Sequence, residues 1–232
     1  MFVKKPQIFT LHFAGGSCYS YQFMKPELTD FDVVAVELPG RGKRIAEPLI
    51  RGFEVAALDI FQQIVSRLSG SPFILYGHSM GAILGLRVAR MLEIYERRPS
   101  ALIFTGHAGP RLVKYKNTAF LETQELKQVL LELGGLPDSI TNNSELFSFF
   151  EPVIRADFEV AERAGSYNFE SVDIPLCVLM GTEENFSGEI DSWRDYTTSH
   201  FSKNLLSGGH FFIHHHACEI ASIAKSMLSQ EG

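Results

Sequence analysis

A chain of 232 residues with 45% hydrophobic and 21% charged side chains suits one packed domain and excludes a disordered segment. Its formal net charge of −6 excludes a protein that grips nucleic acid through a generally basic surface, and an acidic partner would have to meet a local basic patch. No apolar run reaches the roughly 18 residues of a membrane span, and Cys18, Cys177 and Cys218 lack metal-ligand spacing and read as thiols of a reducing cytoplasm.

The start, Met1 to Pro6, is basic, but no long apolar stretch with a small-residue cleavage site follows, so no signal peptide is expected. The first apolar run, Ile8–Phe13, reads as a strand. It leads into His12-Phe13-Ala14-Gly15-Gly16-Ser17, whose small residues let a backbone approach a ligand closely. A helix is expected over Tyr19–Leu28, a strand over Val33–Leu38 and a helix over Glu54–Leu68. The strand Phe73–Tyr76 runs into Gly77-His78-Ser79-Met80-Gly81, and a helix over Gly81–Tyr95 and a strand over Leu102–Thr105 follow. Several of these strands are unbroken apolar runs, as a parallel sheet buried on both faces requires. The alternation predicts an α/β fold with a mostly parallel central sheet flanked by helices.

From about residue 116 to 165 the rhythm breaks. Leu126, Val129, Leu130 and Leu133 recur at helical spacing, as do Phe149, Val153 and Ala156 after Ser144 as a possible N-cap, with Gly134-Gly135-Leu136-Pro137 between them. This segment is expected to be a helical insertion within a single domain spanning 1–232. Large insertions in open α/β folds sit near the ligand end of the strands, so a lid over a pocket is expected rather than plain scaffolding. Beyond it come a strand over Leu176–Met180, a helix over Asp191–Thr198, a short strand over Asn204–Leu206 and a helix over Cys218–Leu228.

Gly77-His78-Ser79-Met80-Gly81 is a G-x-S-x-G sequence between a predicted strand and a predicted helix, the setting of the α/β-hydrolase nucleophile elbow. A sharp turn there lifts the Ser79 hydroxyl clear of the sheet, and the helix start sets N–H groups beside developing negative charge. Serine needs an imidazole to take its proton, and the chain order in this fold is serine, acid, histidine. Of eight histidines, His210 in Gly208-Gly209-His210-Phe211-Phe212 follows the last strand and is the expected base. His214, His215 and His216 lack the companion glutamate of an H-E-x-x-H site, so no metal is expected. His12 and His78 are read as packed side chains, with a supporting role at the site as the alternative. The acid should follow Leu176–Met180, where the loop reads Gly181-Thr182-Glu183-Glu184-Asn185. Glu184 is preferred, with Glu183 and Asp191 as alternatives. The expected oxyanion donors are the backbone N–H groups of Met80 and Ala14.

In combination these motifs resemble the type II thioesterases, the free-standing editing enzymes of non-ribosomal peptide and polyketide synthesis. The resemblance runs from His12–Ser17 through Leu38-Pro39-Gly40-Arg41-Gly42, the elbow, Arg155-Ala156-Asp157-Phe158 and Ser192-Trp193-Arg194 to Gly208–Phe212. It implies the α/β-hydrolase fold and hydrolysis of acyl or aminoacyl thioesters held on the phosphopantetheine arm of a carrier protein. Ser79 would be acylated, His210 would then activate water, and no metal or dissociable cofactor would take part. The family usually carries aspartate where Glu183-Glu184 stand. The basic stretches Arg41-Gly42-Lys43-Arg44 and Arg111–Lys116 are candidate contacts for an acidic carrier protein, with ordinary solvation as the alternative. The expectation is a monomeric cytoplasmic enzyme without nucleic-acid or membrane partners. The competing functions are release of medium or long fatty acyl chains, small-molecule esterase action, and an inactive carrier-binding module with an unanchored histidine.

Overall fold

The computed structural model describes residues 4–113, 116–135, 140 and 143–229. These residues form one six-stranded sheet, every neighbouring pair parallel: β1 (Gln7–Leu11), β2 (Asp32–Val36), β3 (Phe73–His78), β4 (Ala101–Thr105), β5 (Leu176–Gly181) and β6 (Phe201–Leu206), in the order β2-β1-β3-β4-β5-β6. The four inner strands are buried along their whole length, which is why their sequences are continuous apolar runs. Alternate residues serve opposite faces. Phe9, Leu11, Leu75, Leu102, Phe104 and Val178 pack on α1 (Phe53–Arg67) and α2 (Met80–Ile94). Ile8, Ile74, Tyr76, Ile103, Cys177 and Leu179 pack on α5 (Ala217–Ser229) and on the segment holding Tyr21, Met24 and Leu28.

Three predicted elements need correction. Residues 19–28 form turns and a short 3₁₀ helix, Gln22–Met24, instead of an α-helix. Tyr21, Met24 and Leu28 are buried at near-helical spacing, but Pro26 lacks an N–H, and the turns close through bonds such as Met24 N–H to the Tyr21 carbonyl (3.1 Å). The stretch predicted as a helix over Asp191–Thr198 belongs to a 3₁₀ helix, Ser187–Tyr196. Ile190, Trp193 and Tyr196 are buried at intervals of three, the period of that tighter helix. The last strand begins at Phe201, earlier than its apolar residues indicate, because it is an edge strand carrying exposed Lys203 and Asn204. Charge on an edge strand discourages pairing with a second chain.

Between β4 and β5 lie a 3₁₀ turn (Thr118–Phe120) and two helices, α3 (Thr123–Leu133) and α4 (Ser144–Arg163). Gly134 closes α3 in the left-handed conformation (φ 73°). The N-cap of α4 is Asn143, one residue before the predicted Ser144; its side chain accepts from the Leu146 N–H at 3.0 Å. The Leu136-Pro137 part of the predicted interhelical turn lies outside the described residues. Leu126, Leu130, Phe147 and Ile154 form a small apolar cluster of their own. Among the described residues, no helix is long and apolar enough to cross a membrane.

Candidate active site

The site is assembled at the carboxyl ends of β1, β3, β5 and β6. β3 ends at His78 and α2 begins at Met80, so Ser79 alone makes the turn. Its backbone sits at φ 54°, ψ −116°, a region costly for a residue with a side chain and typical of functional sites. The Ser79 N–H donates to the Thr105 carbonyl at 2.8 Å, and the Ala82 N–H donates to the Ser79 carbonyl at 3.0 Å. A Cβ on Gly77 would lie 2.3 Å from the Gly81 carbonyl oxygen, and one on Gly81 would lie 2.2 Å from that of Leu11. Both glycines of the pentapeptide are therefore steric necessities of a helix pressed against its own strand and against β1.

His210 stands in the loop after β6, and its Nδ1 lies 2.7 Å from Glu184 Oε2. The second carboxylate oxygen of Glu184 accepts from the Gly181 N–H at 2.8 Å. The turn from β5 thus fixes the carboxylate, and the carboxylate fixes the imidazole; both side chains are mostly buried, 7% and 16% exposed. Glu183 is exposed, and Asp191 pairs with Lys203 on the surface. Of the three candidate acids, only Glu184 reaches the histidine.

Two peptide units in the loop after β1 are held tightly. The Phe13 carbonyl accepts from the Gly16 N–H (2.9 Å) and lies 2.9 Å from His12 Nδ1. The Gly15 N–H donates to Asp157 Oδ2 at 2.8 Å. Ala14, Ser79 and His210 line one cleft, whose other lining side chains are apolar, as in small-molecule sites. Leu130 and Leu133 of α3, Ile154 and Phe158 of α4, and Phe13 and Phe211 supply its apolar wall. Met80 begins α2, where the first N–H groups lack intrahelical acceptors and the helix dipole is positive. The arrangement can hold an acyl chain against its apolar wall while its carbonyl meets a hydroxyl, an imidazole and backbone N–H groups.

A thioesterase-domain family model matches residues 6–228. The chain belongs to the thioesterase family. It is a hydrolase of thioesters, and it has the α/β-hydrolase fold of its structural neighbours, as the sequence motifs led us to expect. The gramicidin S biosynthesis protein GrsT of Aneurinibacillus migulanus is 28% identical over 220 residues, covering 90% of this chain and 84% of that protein. The medium-chain S-acyl fatty acid synthase thioesterase of Rattus norvegicus is 25% identical, covering 86% and 78%. Among solved structures, the type II thioesterase BorB from the borrelidin biosynthetic cluster superposes with a TM-score of 0.88 at 29% identity, covering 97% of this chain and 93% of that one. The kinship with type II thioesterases expected from the motifs is thereby borne out.

The sequence assigned Asp157 no role and placed Arg41 in a motif and in a basic stretch, whereas the thioesterase joins them in a buried ion pair. It also alters the expected basic patch. Arg41 is buried, and Arg44 is bound to Glu47 and Asp59, which leaves Lys43 exposed. In the second stretch Arg111 pairs with Asp195 at 2.8 Å, and Lys114 and Tyr115 lie outside the described residues. His214 stacks on Phe211, His216 Nε2 lies 3.0 Å from the Ser207 carbonyl, and the described residues contain no cluster able to hold a metal.

Three further imidazoles around the site are held neutral. Burial pushes His78 well below the ordinary histidine value, with His210 and His214 adding to the effect. Burial, with His210 beside it, takes His107 down to about 3, and its Nδ1 accepts from the Gly109 N–H at 3.0 Å. Burial and the Arg41 guanidinium lower His12. In the unfolded chain each would protonate near pH 6.5. Below that pH the unfolded state binds more protons, so stability is complete above it and declines as pH falls toward the folded values. Each histidine contributes up to about 1.4 kcal/mol per pH unit. The melting temperature of the thioesterase should therefore fall from pH 7 to pH 5, and His107→Gln should flatten that slope. A melting temperature that stays level or rises on acidification would contradict this.

Proposed function

We propose that this thioesterase cleaves acyl or aminoacyl thioesters from the phosphopantetheine arm of carrier proteins and so clears stalled or mis-primed synthases. Ser79 is the nucleophile and His210 the general base that takes its proton; Glu184 holds the imidazole in the tautomer that leaves Nε2 able to accept it. The Met80 and Ala14 N–H groups stabilise the oxyanion. The first step forms the Ser79 acyl ester and releases the arm as its thiol, which receives the proton from His210. In the second, His210 activates water, which cleaves the ester and frees the acid. This chemistry uses no metal or cofactor. The helices α3 and α4 act as the lid, with Leu130, Leu133, Ile154 and Phe158 as its apolar lining.

The observation that carries the reading is the 2.7 Å contact between His210 Nδ1 and Glu184 Oε2, beside the strained Ser79 turn on one apolar cleft. An inactive carrier-binding module would need an unanchored histidine, and His210 is anchored. The choice of a carrier-borne substrate draws on the relatives, one of them a gramicidin S biosynthesis protein and one a fatty acid synthase thioesterase. It is tested by presenting the same acyl groups on a carrier protein, on coenzyme A and as simple esters. We expect kcat/KM at least about tenfold higher for the carrier-bound forms, a difference of 1.4 kcal/mol in transition-state stabilisation. Equal turnover of free esters and carrier thioesters would contradict the editing role. A strong rise in rate with chain length from acetyl to medium-chain acyl groups would point instead to fatty acyl release.

A further inference from the structure

We propose that the buried Arg41–Asp157 pair is a positioning device through which helix α4 holds the oxyanion loop in its working geometry. The inference rests on the reading of Ala14 as an oxyanion donor.

Asp157 is fully buried in the middle of α4, and Arg41 is 5% exposed. Its neighbours in the helix, Val153, Ala156 and Val160, are apolar and buried, so an ionised carboxylate there carries a heavy desolvation penalty unless paired and hydrogen-bonded. Both of its oxygens are used by Arg41: Nη2 donates to Oδ1 at 2.7 Å, and Nη1 donates to Oδ2. Leucine at position 157, with an apolar residue in place of Arg41, would dock a helix on a fold equally well. What leucine lacks is a grip on the loop. Asp157 Oδ2 also accepts the Gly15 N–H at 2.8 Å, and Arg41 Nη1 also donates to the Gly16 carbonyl at 3.3 Å. The pair thus holds the chain on either side of Gly15, whose φ of 77° is open to glycine and costly for other residues.

Peptide planarity carries this grip to Ala14. The Phe13–Ala14 peptide is fixed through its carbonyl by Gly16 and His12, and the Ala14–Gly15 peptide is fixed through its N–H by Asp157. With both planes set, the direction of the Ala14 N–H is set. Arg41 is itself held from behind. The Glu37 carboxylate accepts the N–H groups of Cys18 and Lys43, each at 2.8 Å, and so ties the Arg41 loop to the oxyanion loop. Ile154, one turn before Asp157, lines the cleft. One face of α4 therefore supplies both a wall for the acyl chain and the anchor for the oxyanion loop.

The decisive variant is Arg41→Met/Asp157→Leu, which removes both charges at similar volume and leaves no uncompensated ion. A cooperative thermal transition checks that it is folded. Losing an oxyanion donor outright lowers kcat by about 10²–10³-fold, so a donor left in place but unaimed should lower it by about 10- to 100-fold, with KM changed less than about threefold. Affinity for a trifluoromethyl ketone, which forms a tetrahedral adduct, should fall by the same factor, while affinity for a thioether analogue lacking the carbonyl is retained. Where the double variant does not fold, the isosteric Asp157→Asn should show the same kcat-only pattern at about 3- to 10-fold. A folded variant with wild-type kcat, or one with raised KM and unchanged ketone affinity, overturns the inference. Ser79→Ala run alongside separates the two readings. If it turns over like wild type, the underlying reading fails; if it is inactive while the pair variants keep full kcat, this inference alone fails.

Discussion

Ser79→Ala should abolish turnover, lowering kcat by roughly 10⁶-fold, the scale seen when a serine nucleophile is removed from an intact triad. The loss should come without unfolding. Ser79 owes its φ of 54° to the clamp between β3 and α2, where its N–H reaches Thr105 and its carbonyl is met by Ala82. These bonds belong to the backbone and survive the substitution, and alanine meets the same strain as serine. The melting temperature should thus move by less than about 3 °C, equivalent to under 1 kcal/mol for a domain of this size. Carrier-protein binding should also persist, because the Ser79 hydroxyl adds nothing to the outer surface. A large drop in melting temperature would mean that the serine is a structural turn residue and that the lost activity reflects lost fold.

Glu184→Gln should lower kcat by about 10⁴-fold, the scale of the corresponding acid-to-amide change in serine proteases. Glutamine can place its oxygen or its NH₂ toward Gly181, and neither choice works. With the oxygen accepting the Gly181 N–H as Glu184 does at 2.8 Å, the NH₂ faces His210 Nδ1, which must then act as acceptor. The proton moves to Nε2, the atom that has to receive the Ser79 proton, and the base is lost. With the amide reversed, two N–H donors face each other at Gly181. Glu183→Gln and Asp191→Asn should each change kcat by less than about twofold, since Glu183 is exposed and Asp191 is occupied by Lys203. A crippling Asp191→Asn beside a harmless Glu184→Gln would move the acid to Asp191.

Much of this site was legible in the chain because its constraints are local. The elbow is written in five consecutive residues, and the steric reason for Gly77 lies within one strand–helix turn, although that for Gly81 lies across the sheet in β1. The central strands were equally plain, since burial on both faces leaves an unbroken apolar run. The 3₁₀ segments were not, because Ile190, Trp193 and Tyr196 share an apolar spacing that an α-helix also tolerates. Glu184 was one of three carboxylates in the right region. Only the turn that brings its second oxygen to the Gly181 N–H distinguishes it, and no residue type encodes that bond. The Arg41–Asp157 pair spans 116 positions, so sequence supplied at most a hint: an aspartate among Val153, Ala156 and Val160 on the apolar face of an amphipathic helix. The apparent basic patch misled for the same reason, since the partners that occupy Arg41 and Arg44 lie far along the chain or across a turn.

The central claim is that an acyl group passes through the hydroxyl of residue 79, and rapid-quench mass spectrometry on an acylated carrier protein tests it directly. The account predicts that, within the first turnover, a peptide containing Ser79 gains the mass of the free acid less one water, that the adduct decays at the rate of acid release, and that it never forms on Ser79→Ala. Full-rate hydrolysis with no adduct at any time, or an adduct on another residue, would contradict it.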